Sequence, residues 1–325
     1  MNILLTNRCN RRCSYCFAQE RISFGKEEGQ QHAAPELISE ENFRTALAFA
    51  QKSKIPMIGL LGGEPSLHPQ FIQFLELVRD AELTAKVFTN GLWKQEQIDA
   101  VAELFDPAQE RINLVVNVNG PQRTPADHQR RQEHLLSRLG RRCSLSFNIS
   151  RVDFDPGFLV DLITRYRTKG NIRLGVAQPL ADMKNEHIDI ADYREMVPTL
   201  MKLAQACDEN DISLGFDCGF LLCMFTPEEH GRLFYSGARF KATCGPAIDV
   251  GTDLSTWSCF PLSTFSQGAR LTDFEHLDEV ANYFKKKFKP LFQAGALPDC
   301  RACRHRKRNQ CPGGCAAHVY RRLNP

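Results

Sequence analysis

The sequence predicts an α/β fold in which a parallel barrel, or part of one, is followed by a smaller cysteine-rich domain. Over the first 180 residues, six short apolar segments alternate with helical patterns, and each repeat has the length of about 30 residues that a β-α crossover unit needs. Because such crossovers are right-handed, successive units curl into a barrel. Eight cysteines then fall within 98 residues, starting at Cys218, whereas only two separate Cys16 from Cys218. We therefore predict domains over residues 1–210 and 211–325.

Six segments are predicted to form the strands of the barrel. They are Ile3–Thr6, Met57–Leu61, Ala85–Thr89, Ile112–Val118, Ser144–Ile149 and Ile172–Ala177. Each is short and apolar and rich in β-branched or aromatic residues, as expected of parallel strands that are covered on both faces. Between the first two, Ser39 is predicted to cap a helix whose Phe43, Leu47 and Ala50 share one face. A last barrel helix is predicted within residues 181–210.

The composition is that of an ordinary globular protein, with 42% apolar and 24% charged residues. A formal net charge of +3 gives no reason to expect a nucleic acid or a membrane surface, and Arg301–Arg308 is the only basic run. No apolar run approaches the roughly 20 residues of a membrane span, and the N-terminus lacks a signal-peptide pattern. Thirteen cysteines without an export signal favour metal ligation in a reducing cytoplasm over disulfides.

Three cysteines near the N-terminus define the main candidate site. Cys9, Cys13 and Cys16 are spaced C-x3-C-x2-C directly after the first predicted strand. Since four thiolates normally complete an iron–sulfur cluster, three leave one iron open for a small molecule to chelate. A zinc knuckle would need four nitrogen or sulfur ligands, and no fourth lies nearby in the sequence.

A second motif, Gly62-Gly63-Glu64-Pro65, follows the second predicted strand. Glycines there let the backbone approach a ligand closely, although a plain strand-to-helix turn would use the same residues. Together with the C-x3-C-x-aromatic-C loop, this motif resembles the radical S-adenosylmethionine (SAM) enzymes. The resemblance implies an open, partial TIM-like (β/α)6 barrel, a 4Fe–4S cluster on Cys9, Cys13 and Cys16, and SAM bound to the open iron.

The resemblance also implies contacts with SAM. The backbone of Gly62 and Gly63, together with Glu64, would hold its amino group. Tyr15 would lie beside the adenine, to which Val176 would offer backbone. Polar residues that end the fourth and fifth strands are candidates for the ribose and carboxylate: Asn117, Asn119, Asn148, Ser150 and Arg151. An arginine can pair with a carboxylate, but each of these side chains could equally be a helix cap or a solvated loop residue.

The C-terminal cysteines resemble the SPASM domain that is appended to many radical SAM enzymes and usually holds two auxiliary 4Fe–4S clusters. They are Cys218, Cys223, Cys244, Cys259, Cys300, Cys303, Cys311 and Cys315. By position, the resemblance assigns Cys244, Cys259 and Cys315 to a first auxiliary cluster. It assigns Cys300, Cys303 and Cys311 to a second.

Two ligands of the SPASM pattern are missing: the cysteine just before the Cys244 position and the last cysteine of the family. Cys218 or Cys223 must therefore close the first auxiliary cluster. The second then keeps three obvious ligands, with an iron open to substrate, or borrows the other of these two cysteines. A zinc ribbon on Cys300, Cys303, Cys311 and Cys315 is the alternative.

The resemblance implies an enzyme that cleaves SAM reductively to a 5′-deoxyadenosyl radical, with an electron donor such as flavodoxin or ferredoxin. Because SPASM-bearing relatives mostly modify peptides, we expect crosslinking or oxidative maturation of a ribosomally made peptide. The first predicted strand begins within the first three residues, so no N-terminal peptide-recognition domain is expected and a separate leader-binding protein remains open. Phe260 stands where the sulfatase-maturating branch has an aspartate, which counts against that activity. Asp217 and Asp249 are conceivable bases, or else turn residues.

Two other functions remain compatible with the sequence. One is a radical SAM dehydrogenase that acts on a small molecule. The other is a zinc-stapled scaffold that binds a partner and catalyses nothing. Iron and sulfide analysis separates them, since a zinc site contains no sulfide. RNA modification is disfavoured because the chain lacks a basic patch interleaved with aromatic residues.

Overall fold

The computed structural model describes residues 1–22, 36–104, 111–182, 184–240, 244–245 and 247–324. These residues build one sheet with helices packed on it. The strands are β1 (Asn2–Thr6), β2 (Met57–Gly62), β3 (Thr84–Thr89), β4 (Ile112–Asn117), β5 (Cys143–Ile149), β6 (Asn171–Val176), β7 (Ser213–Phe216), β8 (Arg239–Phe240), β9 (Ile248–Val250), β10 (Ser255–Ser258) and β11 (Ala269–Arg270). All six predicted strands are present, each within one residue of its predicted bounds.

The helices alternate with these strands in the N-terminal two thirds of the chain and dominate its end. They are α1 (Glu40–Lys52), α2 (Phe71–Asp80), α3 (Gln95–Leu104), α4 (Ala126–Leu139), α5 (Gly157–Tyr166), α6 (Val197–Glu209), α7 (Pro227–Tyr235), α8 (Ser263–Ser266), α9 (Leu277–Ala294), α10 (Arg304–Lys307) and α11 (Ala316–Leu323). None of the described helices is long and apolar enough to cross a membrane.

The strand order is β11-β10-β9-β1-β2-β3-β4-β5-β6-β7-β8. From β1 to β8 every neighbouring pair is parallel and follows the chain, as right-handed β-α crossovers require. Because β8 and β11 lie at opposite ends of this order, the sheet stays open. The predicted open, partial barrel is therefore confirmed.

The strands after residue 210 extend this sheet at both ends. On one side β7 and β8 continue the parallel order after β6. On the other, β9 pairs in parallel with β1, and β10 and β11 follow antiparallel. The sequence did not predict these strands, because segments of two to four residues are too short to show a period. The boundary proposed at residue 210 falls between α6 and β7.

Helix α1 forms for the reasons that the sequence suggests. The Ser39 hydroxyl accepts a hydrogen bond from the Asn42 amide at 3.1 Å, which satisfies one of the amides left free at a helix start. The side chains of Phe43, Leu47 and Ala50 are buried, and the Phe43 ring stacks on Phe74 of α2 with 4.2 Å between centroids. This packing joins α1 and α2 within the apolar core that also contains the first strands.

Candidate active site and cysteine clusters

The first candidate site is the loop after β1, which carries Cys9, Cys13 and Cys16. The three thiols lie near enough to one another to interact electrostatically, and the Cys16 amide donates to the Cys13 carbonyl at 3.0 Å. Burial raises the pKa of Cys9 to about 12 and that of Cys16 to about 11. Thiolates in this loop therefore need a cationic partner, which is what a metal cluster supplies. None of the thirteen cysteines forms a disulfide.

The glycine pair after β2 lies directly against this loop. The Gly63 amide donates to the Thr6 carbonyl at 2.9 Å, and the Glu64 amide donates to the Arg8 carbonyl at 2.8 Å. A Cβ atom on Gly62 would stand 2.3 Å from the Thr6 carbonyl oxygen, and one on Gly63 would stand 2.2 Å from that of Arg8. The glycines do allow a close approach, but its partner in the described chain is the backbone that leads into Cys9. The predicted approach to a ligand stays a prediction.

Glu64 is completely buried. Its carboxylate accepts hydrogen bonds from the Ser66 hydroxyl at 2.8 Å and the Ser66 amide at 3.3 Å. It also accepts from the Thr89 hydroxyl at 2.8 Å and the Asn90 amide at 2.7 Å. Burial raises the pKa of Glu64, and these donors oppose the shift. Glu64 thus joins the carboxyl ends of β2 and β3 beside the cysteine loop, a structural role that the sequence did not reveal.

A chain of hydrogen bonds runs across the ends of β4 and β5. The Tyr15 hydroxyl bonds with the side-chain amide of Asn119 and accepts from Asn117 at 3.0 Å. Asn148 in turn donates to the Asn117 side-chain oxygen at 2.9 Å. Tyr15 is buried, which raises its pKa. Four of the residues predicted from strand-end positions and the cysteine loop are therefore brought together.

A second polar cluster contains two residues that the sequence did not single out. The Ser150 hydroxyl donates to the Glu186 carboxylate at 3.1 Å, and the Arg123 guanidinium donates to the same carboxylate at 2.8 Å. The Glu186 amide donates to the carbonyl of Ser14, the residue between Cys13 and Tyr15. Arg123 lies a few residues beyond the end of β4. A search for polar residues at strand ends that extended past Asn119 would have included it. Glu186 lies in the long loop after β6 and carries no local signal.

Other predicted residues are engaged elsewhere. Arg151 is exposed and pairs with Asp153 at 2.9 Å, so the structure does not bring its guanidinium into the Tyr15–Asn148 chain. The Val176 carbonyl accepts from the Gln178 side chain at 2.9 Å. The role of each toward SAM stays a prediction.

The two conceivable bases also have partners. The Asp217 carboxylate forms a salt bridge with Arg173 of β6. Asp249 lies buried on β9, where the Asn2 side chain donates to it at 2.7 Å and burial raises its pKa to about 7. Asp249 therefore lies on a strand rather than in a turn. Both carboxylates already have a partner within the chain.

The eight C-terminal cysteines fall into two sets of electrostatic neighbours. Cys259 and Cys315 interact with each other and with the remaining two members of what we call the first quartet. Cys223 interacts with all three other members of the second quartet. The first quartet is Cys218, Cys244, Cys259 and Cys315; the second is Cys223, Cys300, Cys303 and Cys311. The structure thus divides the two cysteines that the sequence left open, Cys218 and Cys223, between the sets.

The quartets differ in their surroundings. Cys315 of the first quartet is buried, and its sulfur accepts hydrogen bonds from the amides of Ala317 and His318 at the start of α11. The second quartet lines a cavity walled by Leu221, Ala296 and the Gly313–Gly314 backbone, where the Gly313 amide donates to the Cys311 sulfur at 3.4 Å. Hydrogen bonds of this kind are typical of cluster-binding thiolates.

The spacing of these cysteines bears on the zinc alternative. Within the described residues, no three His, Cys, Asp or Glu side chains lie close enough to ligate one metal ion. In a tetrahedral zinc site, all sulfurs lie about 2.3 Å from one ion, whereas in a 4Fe–4S cluster each thiolate binds at a separate iron and the sulfurs stand farther apart. Cys315 also lies outside the set that contains Cys300. The separation of Cys315 from that set disfavours a zinc ribbon that combines it with Cys300, Cys303 and Cys311.

Comparison with known proteins supports the family resemblance that the cysteine loop suggested. Residues 3–142 match the family model described as the Radical SAM superfamily. Residues 3–142 therefore form a radical SAM domain, as the sequence motifs predicted. The family implies a 4Fe–4S cluster and SAM. The model covers the loop of Cys9, Cys13 and Cys16 and the Gly62–Glu64 motif.

Curated relatives match part of this chain in sequence. The sporulation killing factor maturation protein SkfB of Bacillus subtilis (strain 168) is 27% identical over 121 residues, which are 37% of this chain and 26% of SkfB. The chain spans well under two thirds of the length of the curated relatives that it matches.

Two solved structures share the fold of nearly the whole chain. Streptococcus suis SuiB bound to the precursor peptide SuiA has a TM-score of 0.62 at 14% identity, covering 97% of this chain and 71% of SuiB. Native anSMEcpe with bound AdoMet has a TM-score of 0.66 at 15% identity, covering 97% and 88%. At these identities the likeness establishes the fold, which includes the cysteine-rich C-terminal region.

Proposed function

We propose that this protein is a radical SAM enzyme that oxidatively modifies a peptide. The observation that carries the proposal is the contact between the Cys9–Cys16 loop and the Gly62–Glu64 backbone at the carboxyl ends of β1 and β2, where parallel barrels place their chemistry. When bound, the cluster and SAM supply a 5′-deoxyadenosyl radical that takes a hydrogen atom from the substrate. The chain's own residues hold and shield these groups.

The residues present fit that cofactor pair. Cys9, Cys13 and Cys16 supply three sulfur ligands from a half-buried loop, which leaves one coordination position for SAM. The Gly62–Gly63 backbone and Glu64 lie beside Cys9 and would hold the SAM amino group. The Tyr15, Asn117 and Asn148 side chains would face its adenosine. The Arg123–Glu186 pair beside Ser14 and Ser150 adds charged groups at the same edge of the sheet.

The two quartets give the proposed reaction an electron acceptor. Four cysteines each would close both auxiliary clusters to substrate. We therefore assign them to electron transfer, and for the second cluster we propose the borrowed fourth ligand rather than an iron open to substrate. The reaction would then balance: the bound SAM would supply a hydrogen-abstracting radical at the expense of one electron, and the substrate would lose one hydrogen atom and one proton and return one electron to an auxiliary cluster. The net result is the loss of two hydrogens from the substrate.

A peptide substrate is supported by the relatives. SkfB is named a maturation protein, and SuiB was solved with a precursor peptide. The proposal is tested by incubating the anaerobically reconstituted protein with SAM, dithionite and each short open reading frame product encoded beside its gene. We expect one peptide to lose the mass of two hydrogens per SAM consumed. If no peptide changes while a small molecule supplied from the same cells is dehydrogenated, the small-molecule alternative replaces the peptide.

Changing Glu64 is expected to weaken SAM binding without removing the radical cluster. Loss of one charge-assisted hydrogen bond costs about 1.5–3 kcal/mol, so Glu64→Ala should raise the SAM dissociation constant roughly tenfold or more. The substitution also leaves four hydrogen-bond donors without their acceptor. We therefore expect a lower melting temperature as well. Equilibrium binding of SAM and iron content are the measurements.

The control is Glu96→Ala, which removes an exposed glutamate from the first turn of α3. Glu64→Gln keeps the side-chain volume and separates the loss of charge from the loss of packing. An unchanged SAM affinity in both Glu64 variants would remove this residue from the SAM site and leave only its structural role.

A further inference from the structure

The charge of this chain is distributed very unevenly. Residues 285–325 contain eleven lysines and arginines against one aspartate, a net charge of +10. Since the whole chain carries +3, residues 1–284 carry −7. The near-neutral total that argued against charged partners therefore conceals a strongly basic C-terminal region. Such a local field raises the association rate of an oppositely charged partner.

The densest part of this charge lies beside the second quartet. Cys303 immediately precedes α10, which consists of Arg304, His305, Arg306 and Lys307. His305 and Arg306 line the same cavity as the second quartet. Cys223 is exposed and the other three cysteines are half-buried, so this quartet lies close to the protein surface. The basic segment therefore surrounds the most accessible edge of a cysteine site.

Only part of this basic charge is needed to hold the fold. The Arg306 guanidinium donates to the Phe292 carbonyl at 2.7 Å, and that of Arg322 donates to the Gly295 carbonyl at 2.8 Å, so these two satisfy the carbonyls at the end of α9. In contrast, Arg304, Lys307 and Arg308 are exposed and form no ion pair with any described residue. Their charge is available to a partner. We call these three residues the basic patch.

We propose that the basic patch is the docking surface for an acidic one-electron carrier protein, such as a flavodoxin or ferredoxin. The inference rests on the proposed function, because it takes the second quartet as a cluster site. A carrier docked here would give up one electron to that site, or accept one from it, with no bond made or broken. Electrostatic complementarity of this kind favours fast, transient association, which a carrier that must leave after each transfer requires.

The chemistry of the patch favours a protein over a nucleic acid. Single-stranded nucleic acid is bound by cationic grooves in which aromatic side chains stack on the bases. The segment from Arg301 to Arg308 contains no phenylalanine, tyrosine or tryptophan. A compact cluster of cations beside a shallow cysteine site instead matches the acidic rim of a small redox protein.

The test compares two triple variants with equal change in net charge. The patch variant is Arg304→Glu, Lys307→Glu and Arg308→Glu. The control is Arg130→Glu, Arg165→Glu and Lys202→Glu, three exposed residues on α4, α5 and α6. Oxidised flavodoxin, and ferredoxin in a parallel series, are titrated into reconstituted protein at low and high ionic strength, and iron content is measured for each variant.

We expect the patch variant to weaken carrier binding about tenfold or more at low salt, the control to change it less than about twofold, and salt to abolish the difference. Iron content should be equal in all three proteins. Equal binding by the two variants, or no binding of either carrier to the unmodified protein, would overturn the inference. Loss of single-stranded RNA binding in the patch variant alone, with carrier binding intact, would also overturn it.

A separate readout keeps this inference distinct from the proposed function. With dithionite as reductant, 5′-deoxyadenosine formation needs no carrier, so it should proceed equally in the patch variant and in the unmodified protein. If dithionite yields no 5′-deoxyadenosine in any of them, the proposed function fails, whereas the carrier titration still decides the docking surface. If dithionite supports the reaction in the unmodified protein but not in the patch variant, the patch acts in catalysis and the docking inference is wrong.

Discussion

Replacement of Cys9, Cys13 and Cys16 by alanine is expected to remove about four irons per chain and all reductive cleavage of SAM. The three thiols lie in one loop, and Cys9 of that loop lies against Gly63 and interacts electrostatically with Glu64. Without them neither the cluster nor the SAM that chelates it has a ligand. Iron and sulfide analysis and detection of 5′-deoxyadenosine by mass spectrometry measure the two losses.

The matched control is the double variant Cys143→Ala and Cys207→Ala. Both side chains are buried in the apolar core and belong to neither quartet. We expect this variant to lose some stability through the core cavities, by about 1 kcal/mol per site, and to keep its full iron content. Formation of 5′-deoxyadenosine by the triple variant would show that the radical cluster lies elsewhere.

Cys223→Ala and Cys218→Ala are expected to damage different auxiliary clusters. Three complete clusters correspond to about twelve irons per chain, and each single variant should approach eight as one incompletely ligated cluster is lost. The structure assigns Cys223 to the cysteines near α10 and Cys218 to those near Cys315. The single variants alone cannot distinguish this assignment from its reverse, because both lose the same amount of iron.

Double variants make the distinction, because residues of one cluster should not act additively. Combining Cys223→Ala with Cys300→Ala should remove no more iron than either change alone. Combining Cys223→Ala with Cys315→Ala should leave only the radical cluster, with about four irons. The reverse pattern would exchange Cys218 and Cys223. Unmodified protein with about four irons and stoichiometric zinc would replace both auxiliary clusters by a structural zinc site.

The sequence predicted the first six strands and the cysteine loop because each is a local signal. Buried parallel strands show as short apolar runs, and three closely spaced cysteines are rarely accidental. The strands after residue 210 were missed since β8 and β11 contain only two residues each and depend on pairing with β7 and β10. Tertiary contacts, rather than propensity, define them.

The assignment of Cys218 and Cys223 to the two quartets also depends on tertiary contacts that the sequence does not show. Cys223 is distant in sequence from Cys300, and only the fold brings them together, so spacing alone could not choose between Cys218 and Cys223. Arg123 and Glu186 were missed for a similar reason, because their pairing joins two loops. The sequence predicted that Gly62 and Gly63 let the backbone approach a ligand, but it could not reveal that the Thr6 and Arg8 carbonyls lie there.

The Cys9–Cys16 loop is proposed to support reductive cleavage of SAM. The most direct measurement is the yield of 5′-deoxyadenosine from the anaerobically reconstituted, unmodified protein with SAM and dithionite, alongside its iron content. We predict that 5′-deoxyadenosine and methionine form in equal amounts and that neither forms without SAM or in the triple cysteine variant. A protein that holds about twelve irons and binds SAM, yet produces no 5′-deoxyadenosine, would show that this loop does not support the cleavage.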